Sequence, residues 1–501
     1  MLFLLLDLLT AQNVLLCAVI TLFAVFCGMR IMPRRSGPLN LPPGPIGYPL
    51  VGNLLSFTSP DELNERVREL KHEHNSNIVY MNMAGQGLII LYDMDAIQQA
   101  FQVQGDEFDS RPLSMFYMKL INYKGLIGSS GSLWKEQRRF ALRTLRDFGM
   151  GKSALGEKIA EETYHFISEL EKHGRKPFQI SLSIDVAISN VICALTFGRR
   201  FHYEDEKFRY LNKLVRDNLT YLGRSTILNY APFLQHVPFD IFGFKQITQN
   251  IEEICEFFKL KVDEHKRNFD ENNVEDFIDA FLAEQKRGDG EGFTDQQLYY
   301  VIMDLFVAGS ETSASTLRWA ALLMTLHNDV QRKVQAELDD VVPRSRKPSM
   351  SDRPKLPYTM AVLHEIQRFA SVVPFGLPHS NPYPTRLLGY DIPADTVLVA
   401  SLTDVLQDPN VWKHPNDFNP ENFLDDQGHV INQSRSIPFA LGKRVCLGES
   451  LAREELFTFF TAMLQNFEFC VDETKPTPTQ KAHRGVVDTP DNHFVVLKKR
   501  D

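Results

Sequence analysis

One cysteine lies in a loop whose composition favours a reactive thiolate. Residues 439–448 read FALGKRVCLG, and apolar residues at helical spacing follow directly, so Cys446 should precede a helix N-terminus. The positive end of a helix dipole stabilises a thiolate. Gly442 and Gly448 would let the loop approach a flat cofactor closely, and Arg444 could pair with a carboxylate on that cofactor. The alternative is a structural cysteine that packs as a small buried hydrophobe.

A second group of chemically capable residues lies in the middle of the longest predicted helix, 295–327. Residues 308–313 read AGSETS. Glycine disfavours a helix by about 1 kcal/mol relative to alanine, and hydroxyl side chains can bond back to carbonyl groups and bend it. The small Ala308 and Gly309 leave room for a ligand, while Glu311 and Thr312 offer a path for protons. The alternative is a helix kink without a catalytic role.

These two motifs, with the loop pattern F-x-x-G-x-R-x-C-x-G, resemble those of the cytochrome P450 superfamily. The resemblance implies that Cys446 is the proximal ligand of haem b (iron protoporphyrin IX) and that Arg444 binds a haem propionate. It also implies that Thr312 helps to activate oxygen and that Glu311 helps to deliver protons, while an iron-bound thiolate favours cleavage of the O–O bond. The other fixed positions of the haem-binding loop are Phe439, Gly442 and Gly448.

Further residues agree with a bound cofactor that carries carboxylates. Trp134 and Arg138 lie one helical turn apart, so an indole N–H and a guanidinium could reach one carboxylate. The resemblance implies that both contact a haem propionate and that His379 provides a third contact. The alternatives are an interfacial tryptophan beside an exposed arginine, and a structural histidine.

A carboxylate and a guanidinium can pair on one face of the predicted helix 357–370. Glu365 and Arg368 are three residues apart. Most such pairs are solvated and contribute little stability. In the family, E-x-x-R is a buried structural pair that is completed by the arginine of a downstream P-E-R-F element. Here residues 420–423 read PENF, so Asn422 replaces that arginine and brings no charge.

The substrate pocket can be outlined only by analogy with the family. A large apolar pocket with few polar groups suits a lipophilic substrate. Asp304 could bind a cationic substrate, although its spacing favours a structural capping role. The candidate pocket residues are Phe116, Asp304, Phe306, Ala308, Val372, Val373 and Phe375.

The elements that must position these residues are mostly helices. Helical periodicity predicts helices at 58–73, 93–104, 132–146, 153–172, 249–268, 295–327, 329–341, 357–370 and 448–466. Thr294 and Gln297 form a predicted capping box. Short strands are predicted at Ile78–Met83, Leu88–Tyr92, Thr396–Ala400 and Phe494–Leu497. The fold class is therefore mainly α with a small β portion, and the resemblance implies the cytochrome P450 fold in a single catalytic domain.

The N-terminal residues 1–29 predict a transmembrane anchor. Residues 8–29 carry no charge, and about 20 such residues span a bilayer as a helix. A cleaved signal peptide is the alternative, but its positive charges would precede the apolar run, whereas here arginines follow it. Because positive charge stays cytoplasmic, the rest of the chain should face the cytosol. A Pro/Gly-rich hinge (30–50) and a catalytic domain (51–501) follow, and the resemblance implies the endoplasmic reticulum membrane.

Composition and charge restrict the partners. The 54 basic and 63 acidic side chains give a net charge of −9, which disfavours nucleic-acid binding. The six cysteines include no C-x-x-C pair, which is typical of a reducing compartment. No dinucleotide fingerprint or P-loop is present, so NADPH should bind a partner. A basic cluster could steer an acidic redox partner, and comprises Arg138, Arg139, Arg143, Arg146, Lys443 and Arg444.

The resemblance implies a monooxygenase that inserts one oxygen atom from O2 into a lipophilic substrate such as a fatty acid, a steroid or a xenobiotic. Its electrons would come from an NADPH-dependent flavin reductase, in some members helped by cytochrome b5. One alternative is a reductase-independent haem-thiolate isomerase or dehydratase of lipid peroxides. Such enzymes often lack the acid–alcohol pair that Glu311 and Thr312 provide. A non-enzymatic haem sensor or carrier is the third possibility.

Overall fold

Helices dominate the computed structural model, which describes residues 39–56, 63–149, 153–288, 290 and 292–500. The α-helices of this part of the chain are α1 (Leu63–His74), α2 (Met94–Gln98), α3 (Phe116–Leu120), α4 (Gly131–Asp147), α5 (Ser153–Glu171), α6 (Ser181–Thr196), α7 (Glu206–Arg224), α8 (Phe244–Asn268), α9 (Phe277–Arg287), α10 (Asp295–Leu326), α11 (Asn328–Val341), α12 (Pro357–Ala370), α13 (Leu402–Leu406) and α14 (Glu449–Asn466). The predicted anchor, 1–29, and the first part of the predicted hinge, 30–38, lie outside the described residues.

The β portion is small and divided among separate sheets. Its strands are β1 (Ile78–Met83), β2 (Gln86–Leu91), β3 (Phe178–Gln179), β4 (His379–Ser380), β5 (Thr385–Leu387), β6 (Tyr390–Ile392), β7 (Val397–Ala400), β8 (Phe467–Val471), β9 (Ala482–His483), β10 (Thr489–Pro490) and β11 (Phe494–Lys499). The largest sheet has the order β1-β2-β7-β4, in which β7 runs parallel to β2 and antiparallel to β4. The sequence-based expectation of a mainly α fold with a small β portion is confirmed.

Short 3-10 turns connect several of these elements. They are Leu54–Ser56, Thr226–Asn229, Pro232–His236, Pro238–Asp240, Met350–Lys355, Pro420–Phe423 and Gln433–Arg435. The predicted helix 93–104 is in fact α2 followed by one π-helical turn, Gln99–Val103.

Three of the longer helices, α6, α7 and α9, were not predicted from periodicity, nor were the five-residue α3 and α13. The helix α6 is buried on almost every side, so its sequence has no polar face to mark the helical period. The helix α7 is amphipathic and is capped by Asp205, whose side chain accepts a hydrogen bond from the backbone N–H of Phe208, so its signal was present in the sequence. The third, α9, begins at a similar aspartate cap, Asp276.

The helix α10 runs without interruption through the main apolar core and packs closely against α6. A Cβ atom on Gly309 would lie 2.6 Å from the Cδ1 atom of Ile192, so this glycine allows the two helices to approach each other. The expected capping box is only half formed. Thr294 accepts a hydrogen bond from the N–H of Gln297, whereas the Gln297 side chain binds the backbone of Gly125 instead.

Within the described part of the chain, no helix combines the length and the apolar character that crossing a bilayer requires. The apolar run at residues 8–29 falls outside this part.

Candidate active site

The loop before α14 holds Cys446 through its own backbone. The N–H of Cys446 donates to the carbonyl of Phe439 (3.1 Å), and the N–H of Val445 donates to that of Gly442 (3.1 Å). Gly442 has φ +82°, and a Cβ atom there would lie 1.8 Å from the carbonyl oxygen of Phe101. This glycine is therefore required by a backbone contact within the protein. A Cβ atom on Gly448 would meet no other atom within 4 Å, so of the two glycines only Gly448 leaves open space beside the cysteine.

The thiol of Cys446 lies in the protein interior and yet is accessible. Burial raises its pKa, while the N–H of Gly448 and the charge of Arg138 lower it. The Cys446 side chain is nevertheless exposed. Because protein also surrounds the thiol, we infer that the side chain faces an internal space. The predicted stabilisation of a thiolate at the helix end is present but is outweighed by burial. A metal cation bonded to the sulfur would offset that penalty, because coordinated thiols are deprotonated.

Two arginines and a tryptophan form one side of the rim of this space. The guanidinium of Arg444 stacks on the ring of Trp134 at 3.9 Å and donates to the carbonyls of Asp109 (2.8 Å) and Ser129 (2.7 Å). Arg138 donates to the carbonyl of Val445 (2.7 Å) and also lies near the Trp134 ring, at 5.9 Å. The predicted set of Trp134, Arg138 and Arg444 is thus brought together.

A third arginine, which sequence reasoning missed, completes this rim. Arg111 is buried and donates to the carbonyls of Ile127 (3.0 Å) and Pro378 (2.6 Å). The neighbouring His379 stacks on Phe101 at 3.9 Å, and its Nδ1 lies 2.7 Å from the carbonyl of Phe108. Arg111 belongs to no motif in the sequence, because only the fold carries it to Pro378.

None of the three rim arginines forms an ion pair with a carboxylate in the described part of the chain. Arg111, Arg138 and Arg444 donate instead to carbonyl oxygens. Burial lowers the pKa of Arg444 to about 8 and that of Arg111 to about 10. Neighbouring arginines lower both pKa values further, while the carboxylates of Asp109 and Asp304, which form no ion pair with them, oppose this effect. Such a cluster fits a ligand that brings buried carboxylates. These residues therefore suit the two propionates of haem.

The middle of α10 also faces an internal space. Ala308 is exposed although the residues around it on this helix belong to the core, and Thr312 is partly exposed. The hydroxyl of Thr312 donates to the carbonyl of Ala308 (2.7 Å), so its oxygen lone pairs stay available as acceptors. Glu311 points elsewhere, into a buried ion pair with Arg318. Burial raises the pKa of Glu311, and the charge of Arg318 opposes this effect.

The predicted pair of Glu365 and Arg368 is fully buried and bidentate. Arg368 donates to the two oxygens of Glu365 at 2.7 and 2.8 Å. Its remaining N–H groups donate to the carbonyls of Leu406 (2.8 Å) and Asp417 (2.8 Å). Asn422 donates to both oxygens of Glu365, at 3.2 and 3.3 Å. The amide thus takes the third position of this cluster without bringing a second positive charge.

The predicted pocket residues separate into two groups. Ala308 is open to the interior space, and Val372, Val373 and Phe375 are partly exposed. Phe306 instead packs in the core at 5.4 Å from Phe258, on a face of α10 that is fully buried.

Two further pocket candidates have structural partners. Phe116 is buried against Phe244. Asp304 accepts hydrogen bonds from the N–H groups of Leu126 (2.7 Å) and Ile127 (2.8 Å), so it fixes this loop as the capping interpretation predicted. Burial raises the pKa of Asp304 to about 7, which further disfavours a role as an anionic substrate site.

The predicted basic cluster also divides. Arg138 and Arg444 point into the rim, whereas the exposed basic side chains of α4 are Lys135, Arg139, Arg143 and Arg146. Lys443 pairs with Asp106 on the outer surface of the cysteine loop. Between these cations the surface has a depression of about 400 Å³, lined by Gln102, Leu441, Gly442, Lys443 and Val445.

Comparison with known proteins agrees with this geometry. The sequence model of the family described as Cytochrome P450 matches residues 42–497. The chain is 38% identical to cytochrome P450 2J3 of Rattus norvegicus over 91% of this chain and 90% of the relative. It is 35% identical to cytochrome P450 2U1 of Homo sapiens over 93% and 91%. It is also 37% identical to cytochrome P450 18a1 of Drosophila melanogaster over 92% and 87%.

Proposed function

The chain belongs to the cytochrome P450 family and is a haem-dependent monooxygenase, and from that premise we propose that Cys446 holds the iron of haem b. The observation that carries this proposal is that Arg111, Arg138 and Arg444, which lie around the interior space that the thiol faces, form no ion pair with a carboxylate of the described residues. The two carboxylates of haem would balance the charge of the arginines, and its cationic iron would balance the charge of the Cys446 thiolate.

The residues around this space have separate tasks. The haem, when bound, supplies the redox-active iron at which O2 is activated. Cys446 would hold that iron, and the rim arginines with Trp134 and His379 would fix the orientation of the propionates. Phe439 supports the loop through its carbonyl, which accepts the N–H of Cys446.

On the side of the interior space that α10 lines, Thr312 and Glu311 would take part in proton delivery. The Thr312 hydroxyl is held by the Ala308 carbonyl and can accept a hydrogen bond from a water molecule in the interior space. Glu311 is the preceding residue, and burial favours its protonated form. Its carboxyl pairs with Arg318 in this arrangement, so it could pass a proton to such a water on leaving that pair. The presence of this pair favours a monooxygenase over a peroxide isomerase.

We infer that the substrate is lipophilic and uncharged near the reacting position. Ala308, Val372, Val373 and Phe375 offer apolar surface to the interior. One oxygen of Asp304 accepts both backbone N–H groups, and burial raises the pKa of this acid to about 7, which disfavours binding of a cationic substrate at this position. Fatty acids, steroids and xenobiotics all meet these requirements.

The family requires a redox partner, and the basic surface supports a flavin reductase that uses NADPH. Lys443 belongs to the cysteine loop, and Lys135 of α4 lies near Asp106, the partner of Lys443, so exposed cations border the outer side of this loop. Electrostatic attraction to an acidic flavoprotein would orient it there. Cytochrome b5 could use the same surface.

A position at the endoplasmic reticulum membrane, with the catalytic domain in the cytosol, is part of the proposal. The apolar residues 8–29 would anchor the chain. Exposed apolar side chains also occur at Leu50 (86% exposed) and Phe239 (95% exposed). Each of the two segments also contributes a residue, Leu54 or Ala231, to one apolar cluster.

Spectroscopy tests the iron ligand. The reduced protein with carbon monoxide should absorb at the position typical of thiolate-bound haem, and Cys446→Ala should abolish this band completely. A band typical of histidine ligation in the unaltered protein would contradict the assignment.

A screen of substrate-induced spectral shifts over fatty acids, steroids and drugs would identify the substrate class. With the substrate found, Thr312→Ala should divert most of the NADPH electrons to hydrogen peroxide, while Thr316→Ala, one turn further along α10, should not. If Thr312→Ala kept full coupling of electrons to product, the role of Thr312 would be wrong.

A further inference from the structure

Four charged side chains connect the middle of α10 with the surface of the protein. Glu311 pairs with Arg318 two turns further along α10. Arg318 lies 3.6 Å from Asp185 of α6, and Asp185 lies 2.8 Å from Arg216 of α7. The first three side chains are 5–6% exposed, whereas Arg216 is 32% exposed. The series therefore begins beside Thr312 and ends at solvent.

The carboxylates of Glu311 and Asp185 compete for the guanidinium of Arg318. Arg318 faces two carboxylates, those of Glu311 and Asp185, and it binds Glu311 at hydrogen-bond distance while Asp185 is further away. One oxygen of Asp185 receives no hydrogen bond, so this carboxylate is satisfied chiefly by Arg216. If Arg216 were withdrawn, Asp185 would draw Arg318 towards itself and weaken the hold of Arg318 on Glu311. If Asp185 were neutral, Arg318 would form an ion pair with Glu311 alone.

We propose that Asp185 and Arg216 are positioning residues that set how readily Glu311 holds a proton, so that the position of α7 regulates proton delivery at the active site. This inference rests on the proposed role of Glu311 and adds a control on that role. Neither residue contacts the interior space in this arrangement; both act through Arg318.

The charges of Asp185 and Arg216 should shift the pKa of Glu311 in opposite directions. Burial and the charge of Asp185 raise the pKa of Glu311, while Arg318 and Arg216 lower it. From the helices that pack against α10, Asp185 comes from α6 and Arg216 from α7, and α14 brings Glu455 to the adjacent Ser313. Removing Asp185 should therefore favour the ionised form of Glu311, and removing Arg216 should favour the protonated form.

The experiment measures the protonation of Glu311 directly in the full-length, haem-loaded protein. Infrared difference spectra over pH 4–9 would follow the protonated-carboxyl band that Glu311→Gln removes. We expect Asp185→Asn to lower the midpoint of this band by roughly one pH unit, and Arg216→Gln to raise it by roughly half a unit because solvent screens this charge. Lys213→Gln is the matched control, since Lys213 pairs with Asp217 on the exposed face of the same helix and should cause no shift.

Shifts in the same direction, or no shift in either variant, would overturn the inference, because loss of structural support alone cannot produce opposite signs. The thiolate band with carbon monoxide reports that each variant keeps its haem site. If Asp185→Asn fails to fold, the partly exposed Arg216→Gln still decides the sign. If Glu311→Gln removes no band at any pH, the proposed proton role of Glu311 is itself wrong, which is a different outcome from unshifted midpoints.

Discussion

Two regions of the molecule, the cluster around Arg368 and the rim beside Cys446, hold arginines that differ in what balances their positive charge. Arg368 is buried with Glu365, every donor of its guanidinium reaches an oxygen of the protein, and Asn422 completes the carboxylate's partners. Arg111 is also buried and Arg444 is half-buried, but their partners are carbonyls, and the charge of Arg111 acts on Arg444.

The difference separates a structural role from a binding role for the same residue type. A buried charge costs several kcal/mol unless it is paired. The Arg368 cluster meets this requirement within the chain, so it can form as the protein folds. On the proposed function, the rim arginines meet it when the haem propionates bind, so their arrangement would favour the bound state.

The strongest test of this comparison is the removal of the satisfied arginine. Arg368→Ala should leave Glu365 buried without its cation and lower the free energy of unfolding by about 3–5 kcal/mol. Urea unfolding of the haem-free and haem-loaded proteins would measure it, and both should lose stability equally. Arg386→Ala is a suitable control, since Arg386 forms an exposed ion pair with Asp391 and should change little. An equal effect of both substitutions would contradict the structural role.

Substitution of a rim arginine should affect haem binding more than the stability of the haem-free protein. Arg138→Gln should weaken haem binding by about 1.5–3 kcal/mol, roughly 10- to 100-fold in affinity, because a charge-assisted hydrogen bond to a propionate is lost. The haem-free protein should lose much less stability, since Arg138 makes one hydrogen bond there, to Val445. Haem titration by absorbance and unfolding of the haem-free protein would separate the two effects. If Arg138→Gln lowered only the stability of the haem-free protein, Arg138 would have a structural role like that of Arg368.

The buried acid beside the rim gives a prediction about pH. Burial raises the pKa of Asp304 to about 7 from an ordinary value of 3.8. Between these values the folded protein keeps a proton that the unfolded chain releases, so the stability contribution of this group falls as pH rises from about 4 to about 7. In Asp304→Asn that slope should disappear, as thermal unfolding of the haem-free protein at several pH values would show. An unchanged slope in the variant would assign the titration to another group.

The smallest expected effect concerns the amide that replaces a charge. Asn422→Ala removes hydrogen bonds to Glu365 but leaves the bidentate Arg368, so the cost should be about 1 kcal/mol, well below that of Arg368→Ala. Urea unfolding would measure it. A cost as large as that of Arg368→Ala would mean that the amide is as necessary as the guanidinium.

Much of the fold could be predicted because its signals are local. The bounds of α12 and β1 agree with the prediction, since helical and alternating patterns are properties of neighbouring residues. The burial of α6 could not be predicted in this way, because a helix surrounded by core on all sides shows no periodicity. The interpretation of Gly309 as room for a ligand needed correction, since its contact is Ile192 of a helix that is distant in sequence.

The candidate site divides along the same line. The sequence by itself determined the family, and it led to the proposals for Cys446 and for the pair of Glu311 and Thr312, because these depend on residue types at short spacing. Only the tertiary structure decided that Arg111 joins the rim, that Phe306 packs in the core and that Asp304 binds a loop. It also decided that Asp185 and Arg216 reach Glu311 through Arg318. The physical reason is that charge and burial depend on which distant segments meet, and the order of residues along the chain does not specify those distances.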